Sequence, residues 1–296
     1  MSAPPPPSPA PEGPTSPAAA APPRRPRLRR WGRRLAIALG LAVAVPVAAH
    51  LTVSCATRLD PPTIEVAPLG DVVDEGGVRR LGPGWARHRG AMLEVKLAGS
   101  PEAVGQQMGR LLHPEMVAIE DELLGQFRHF VPLSPLRTLI VDVARARFGD
   151  ADLGMDPRRR REIAAQSLAF QPDPFDGFMP TYDRFVFLNS LYDVSLSFEH
   201  SPLLGCTTFV ARGAATEGGK VLLGRNFDFE AGPTFDHGKA VFLVHEEERI
   251  PYASVSWPGF VGAVTGMNAE GLAVVVHGGR ARRNPPPRAC RQPRNA

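Results

Sequence analysis

Apolar and polar positions divide the chain into stretches of different texture. From Leu35 to Thr57 there is no Asp, Glu, Lys or Arg. At about 1.5 Å per residue this stretch suffices to cross a hydrocarbon core of roughly 30 Å, and it reads as one transmembrane helix over residues 35–57, interrupted by Pro46 and His50. Residues 58–90 are rich in Pro, Gly and charge and read as a linker. A first strand follows at Met92–Leu97. Ser100-Pro101 then starts a helix, because serine caps and proline fits the first turn. Apolar positions recur there at spacings of three and four, from Val104 and Met108 to Leu123 and Leu124. The helix is predicted to reach about Phe130, broken or bent at Pro114. Leu136–Phe148, Arg158–Phe170 and Tyr182–Phe198 have helical composition. Residues 91–205 are thus mainly helical.

After Gly205 the pattern shortens to strands about ten residues apart. Thr207–Ala211 and Lys220–Arg225 form a hairpin across a loop holding Gly218-Gly219. Further strands are predicted at Ala240–His245, Ala253–Trp257, Ala263–Met267 and Leu272–His277, the last two joined by the tight turn Asn268–Gly271. Strands joined by short turns imply an antiparallel meander. The fold class is therefore α+β, helices first and strands second, with its sheet over residues 206–278. Residues 279–296 are Arg/Pro-rich and read as a disordered tail.

Charge sharpens this division. Residues 1–34 hold seven Arg and one Glu, residues 280–296 hold six Arg and no acid, and the stretch between carries a net charge of −8. An acidic body with basic ends is not the footprint of a nucleic-acid binder. Residues 1–23 are almost entirely Pro, Ala, Ser and Gly and read as a disordered arm. The arginines of Arg24–Arg34 lie on one side of the apolar stretch. The positive-inside rule then keeps the N-terminus cytoplasmic and exports the rest to the periplasm or cell exterior. A cleaved signal peptide is the competing reading. Val53-Ser54-Cys55 also resembles the end of a lipid-attachment box, with Thr52 where that box prefers Leu.

Three cysteines, Cys55, Cys206 and Cys290, do not make a disulfide framework. Cys206 stands directly after Gly205 where the helical half meets the strand-forming half. The hairpin's second strand ends in Gly224-Arg225-Asn226-Phe227-Asp228-Phe229. Because the start of one strand lies beside the end of the other, Cys206, Arg225 and Asp228 are expected to meet at one end of the sheet. A guanidinium beside a thiol favours the nucleophilic thiolate.

Gly205-Cys206-Thr207-Thr208, then Gly224–Phe229, then Thr265–Val274 resemble, in this order, the N-terminal-nucleophile (Ntn) hydrolases of the choloylglycine hydrolase and penicillin (isopenicillin N) acyltransferase group. The resemblance implies a four-layer αββα sandwich, with residues 91–205 as a pro-segment. It also implies self-cleavage between Gly205 and Cys206 by the Cys206 thiol, which frees an α-amine able to act as base. The thiol then attacks a small-molecule amide or acyl substrate. By position, Arg225 lines the nucleophile pocket and Asp228 holds the α-amine. The family needs no cofactor or metal. Its side-chain amide on the strand after Gly271-Leu272 has no counterpart here, leaving His277 or a backbone N–H as oxyanion donor. The family continues into a second sheet and outer helices where this chain enters its Arg/Pro tail, so the resemblance implies a C-terminally truncated or frame-changed sandwich.

Two other readings fit the residues. In one, Cys206 is activated by His237, His245 or His277 without self-cleavage. In the other, the chain is an inactive remnant of the family. No Gly-x-Ser-x-Gly elbow, phosphate loop or zinc-spaced His/Cys cluster occurs.

Overall fold

The computed structural model describes residues 26–191, 204–229 and 234–277. The chain divides into two compact units between Ala49 and His50. The described part of the first unit belongs to one helix, α1 (Pro26–Ala56), whose residues from Arg30 to Ala49 are all exposed. Its stretch Arg30–Ala56 is long and apolar enough to cross a membrane. The helix starts before Leu35 because arginine is a good helix former and Pro26 suits a first helical position. The predicted arm of residues 1–23 lies outside the described residues, as does the 279–296 tail.

The second unit is mixed α and β. In chain order it holds strands β1 (Val73–Glu75), β2 (Val78–Leu81), β3 (Gly84–Arg89) and β4 (Met92–Gly99), then helices α2 (Pro101–Leu111), α3 (His113–Phe130) and α4 (Ser134–Phe148). A short 3-10 turn leads to α5 (Pro157–Ala169) and α6 (Thr181–Asn189). Next come β5 (Leu204–Gly213), β6 (Gly219–Phe229), the single turn α7 (Thr234–His237), and β7 (Ala240–Glu246), β8 (Tyr252–Ser256), β9 (Thr265–Asn268) and β10 (Ala273–Val275). The later part of the helix predicted over 182–198 lies outside the described residues.

Two expectations are corrected. Residues 58–90 are not simply a linker: β1, β2 and β3 form a meander that pairs onto β4. The glycines that read as linker are its tight turns, for example Gly77 (φ 82°) and Gly90 (φ 61°), where left-handed backbone favours glycine. The charges suit short strands at a sheet edge. The strands after Gly205 do not make one meander either. Among the described residues, β5 and β6 pair only with each other, while the eight-stranded sheet runs β1-β2-β3-β4-β7-β8-β9-β10. Its central pair, β4 and β7, is parallel, from Leu93 beside Ala240 to Gly99 beside Glu246. A pairing between strands so distant in sequence leaves no mark in local periodicity.

Helices cover one face of this sheet. Leu93, Val95 and Leu97 of β4 and Phe242 and Val244 of β7 are buried in a core with Val104, Met108 and Leu111 of α2, Ile163 of α5 and Phe185 of α6. Ser100 caps α2 by accepting from the Ala103 N–H at 3.2 Å. The chain breaks at Leu112, so that Pro114 falls in the first turn of α3. On α2, Gly105 and Gly109 let α5 approach closely. A Cβ at Gly105 would fall onto the Glu162 carbonyl oxygen, and one at Gly109 would lie 2.7 Å from that of Gln166. The buried Gln107 amide binds both backbone groups of Ala98, accepting at 2.9 Å and donating at 2.7 Å. Buried Arg184 donates to Glu120 and, at 2.8 Å, to Asp173. Burial still pushes the Glu120 carboxyl up to about 7.

Candidate functional site

The hairpin's register decides which residues share a face. Cys206 faces Phe227, Thr208 faces Arg225, and Val210 faces Leu223 across the ladder. Strand alternation puts these six on one face. Gly205 faces Asp228, Thr207 faces Asn226 and Phe209 faces Gly224, on the other. Cys206 and Arg225 are diagonal neighbours, with Arg225 Nη2 3.7 Å from Cys206 Sγ. Asp228 is not beside the thiol. Its odd separation from Arg225 turns it to the opposite face, exposed, and it sits across the ladder from Gly205. The expected three-residue cluster therefore divides into a thiol–guanidinium pair and a carboxylate beside the Gly205–Cys206 peptide.

Arg225 also ties the hairpin to the ends of the main sheet. Nη1 donates to the Val264 carbonyl at 3.2 Å and to Thr265 Oγ1, while Nη2 donates to the Val276 carbonyl. Its guanidinium carbon lies 4.7 Å from the centre of the Phe227 ring. Phe227 in turn packs against buried Trp257 at 5.2 Å, and Trp257 meets Phe235 and Phe260. Half-buried Cys206 therefore lies beside a guanidinium stacked on an aromatic ring. Such a cation is placed to hold negative charge on an oxygen bound beside the sulfur. Val264, Thr265 and Val276 had no distinct signal in the sequence, because two of them act through backbone carbonyls.

The histidines sit elsewhere. His277 Nε2 meets Thr208 Oγ1, one pair along the same face from Cys206. His237 lies 3.5 Å from Glu122, and His245 is exposed on β7. Among the described residues, no histidine hydrogen-bonds to Cys206. Cys55 is exposed on α1, and Cys290 lies outside the described residues.

A cavity of about 650 Å³ opens near the N-terminal end of α5, lined by Arg158, Arg159, Glu246, Tyr252 and Gly266. It does not include Cys206 or Arg225. Its charges satisfy one another. Arg158 donates to Glu246 at 2.6 Å, and Arg159 bridges Glu246 and buried Glu162. Burial pushes Glu162 up to about 7 and Tyr252 up to about 12. For Glu246, burial is outweighed by the two arginines, which hold its carboxyl low. This internally neutralised cluster, invisible in the sequence, reads as a joint between α5 and the sheet.

No protein-family model matches the chain. An uncharacterized protein of Archaeoglobus fulgidus is 34% identical over 110 residues, covering 33% of this chain and 18% of that protein. The chain thus spans less than a fifth of that relative's length.

Proposed function

We propose that the chain is a membrane-anchored, self-cleaving cysteine amide hydrolase or acyltransferase of the Ntn type. The observation that supports this reading is the Arg225 guanidinium 3.7 Å from Cys206 Sγ, on a hairpin that opens with the Gly205–Cys206 peptide. In the first reaction, the Cys206 sulfur attacks the Gly205 carbonyl carbon and the C–N bond breaks. The thiol proton passes to the departing nitrogen, which becomes the α-amine, and the acyl group passes to sulfur as a thioester. Water then hydrolyses the thioester, leaving the Gly205 carboxylate and a free Cys206 thiol and α-amine. In this reading Asp228, across the ladder from Gly205, holds that amine.

In the second reaction, the α-amine takes the thiol proton as sulfur attacks a substrate amide carbon. It then protonates the departing amine, and water or an acceptor amine releases the acyl group. Arg225 and either His277 or a backbone N–H face the developing oxyanion. Substrates are small molecules with a linear amide bond, and no step draws on a metal or cofactor.

In this reading the helix-backed sheet forms two layers of a four-layer sandwich and the β5–β6 hairpin begins the third. Exposed Phe209, Val210, Val221 and Leu222 on the hairpin, and Leu243, Val255 and Met267 on the uncovered sheet face, are the apolar surface such a layer would use. The Arg24–Arg34 cluster favours a cytoplasmic N-terminus with the second unit exported.

Intact-mass spectrometry of the purified full chain in detergent tests the proposal beside a Cys206→Ala control. Two fragments parting between Gly205 and Cys206 in the unsubstituted chain alone are expected. A single intact species in both samples, folded by circular dichroism, would sink self-cleavage.

A further inference from the structure

The helices do not cover the inner face of the sheet to its end. Among the described residues, none of the buried core residues comes from β9 or β10. Leu272 (64% exposed) and Val274 (46%) lie open there, and with Ile250 they give the cavity of about 650 Å³ beside α5 an apolar floor. Most of its charged lining is already engaged. Arg158 and Arg159 hold Glu246, Asp156 accepts from the Arg158 N–H, and Glu248 lies 3.8 Å from Arg158. Exposed Arg249 and the Tyr252 hydroxyl, which also line the cavity, bond to no other side chain among the described residues. A cavity of this size, apolar with a few polar groups, suits a small organic ligand. Its two unspent groups are donors, one of them cationic, and these match a carboxylate head.

The cavity stands back to back with the thiol. Gly262, Ala263 and Gly266 line it, while Val264 and Thr265 between them accept from Arg225. The end of β10 repeats this pattern, with Val274 on the cavity and the Val276 carbonyl accepting from Arg225. Strand alternation is the reason. Gly266 lies opposite buried Ser254, whereas Thr265 lies opposite exposed Val255. Two short strands thus separate the cavity from the guanidinium beside Cys206. Their packing leaves little slack: a Cβ at Gly266 would lie 2.9 Å from the Ala253 carbonyl oxygen and 3.0 Å from the Ala263 Cβ. A segment packed this closely passes a displacement on rather than absorbing it.

We propose that this cavity is an effector site for a small carboxylic acid with an apolar body, whose occupancy is felt at Cys206 through residues 262–266. The carboxylate meets Arg249 and Tyr252, and the apolar body covers Leu272 and Val274. Hydrolysis of a linear amide releases an acid of this class, so the site reports product. That last role rests on the reaction proposed above, whereas the binding and its coupling to Cys206 do not.

The test uses the full chain in detergent, with Cys55→Ser and Cys290→Ser, and 3-phenylpropionate as probe beside the uncharged 3-phenylpropanol. Isothermal titration is expected to show binding of the acid, and binding at least about fivefold weaker for the alcohol and for the acid in Arg249→Glu and Val274→Trp. Saturating acid is expected to change the rate of Cys206 alkylation by iodoacetamide about twofold or more where the cavity is intact, and not in those variants. Arg249 stands on an exposed turn, so its variant carries the test if Val274→Trp does not fold. No binding, or an affinity that neither substitution moves, would overturn the site. Binding lost instead in Arg225→Met would place the acid at the thiol and overturn it as well. Binding in the cavity with an unchanged alkylation rate would overturn the coupling. Intact-mass spectrometry reports self-cleavage separately, so these outcomes are distinct from failure of the proposed reaction.

Discussion

The helix-backed core and the β5–β6 hairpin hold themselves together in opposite ways. In the core, α2 and α5 meet across two glycines, and the inward strand residues share one buried cluster with side chains from several helices. The hairpin has no such cover. Phe209 and Val221 are each more than 60% exposed, and one arginine joins its ladder to the main sheet through three bonds. The core is fixed by shape, so many residues share its stability. The hairpin is fixed at one end, by the bonds of Arg225, the Thr208–His277 contact and Phe227 packed on Trp257, and Arg225 also faces the Cys206 thiol. Disturbing the core should cost stability and leave the thiol's environment alone, while disturbing Arg225 should do the reverse.

The largest expected effect is at Gly105. Gly105→Ala puts a Cβ onto the Glu162 carbonyl and should lower unfolding free energy by about 3 kcal/mol, since an overpacked backbone contact can yield only by separating two helices. Urea denaturation measures this. The alkylation rate of Cys206 in the folded variant should be unchanged, and a large change there would break the separation between the two regions.

The pH dependence of the core comes next. Glu120 and Glu162, raised from 4.5 to about 7 by burial, bind more protons folded than unfolded between those pH values. Their contribution is present at pH 5 and is lost as pH rises through about 7, so stability should fall between pH 5 and 8 by about 2 kcal/mol for each group. Glu162→Gln, which stays neutral, should remove about half of that slope. A stability that rises over this range would show that the arginines keep both groups ionised.

Arg225→Met should act locally. The rate of Cys206 alkylation by iodoacetamide is expected to change about twofold or more, because the guanidinium 3.7 Å from sulfur is gone. Hydrogen exchange should quicken in β5 and β6 while β4 and β7 stay protected. Uniform loss of protection would mean that the hairpin and core are one cooperative unit.

The smallest effect belongs to the exposed hairpin residues. Val210→Thr and Val221→Thr should change stability by less than about 0.5 kcal/mol, as exposed substitutions usually do. A loss several times larger would show that another surface covers this face.

Much of this organisation follows from local chemistry that one sequence displays. An uncharged apolar stretch long enough to span a bilayer, the Ser100-Pro101 helix start, the break near Pro114 and the hairpin's strand spacing are each written within a few residues. So is the nearness of Cys206 and Arg225, because an antiparallel hairpin brings its two ends together. What local pattern left open was set by contacts far along the chain. The parallel pairing of β4 with β7 joined the meander of β1–β4 to the strands after Ala240, and strand alternation turned Asp228 away from the thiol. On α4, the contacts of Asp142 with His50 and of Arg145 with the Ser54 carbonyl turned the charged side inward and left the apolar side exposed. Periodicity says that a helix has an apolar side. Only the partners that satisfy its buried charges decide where that side points.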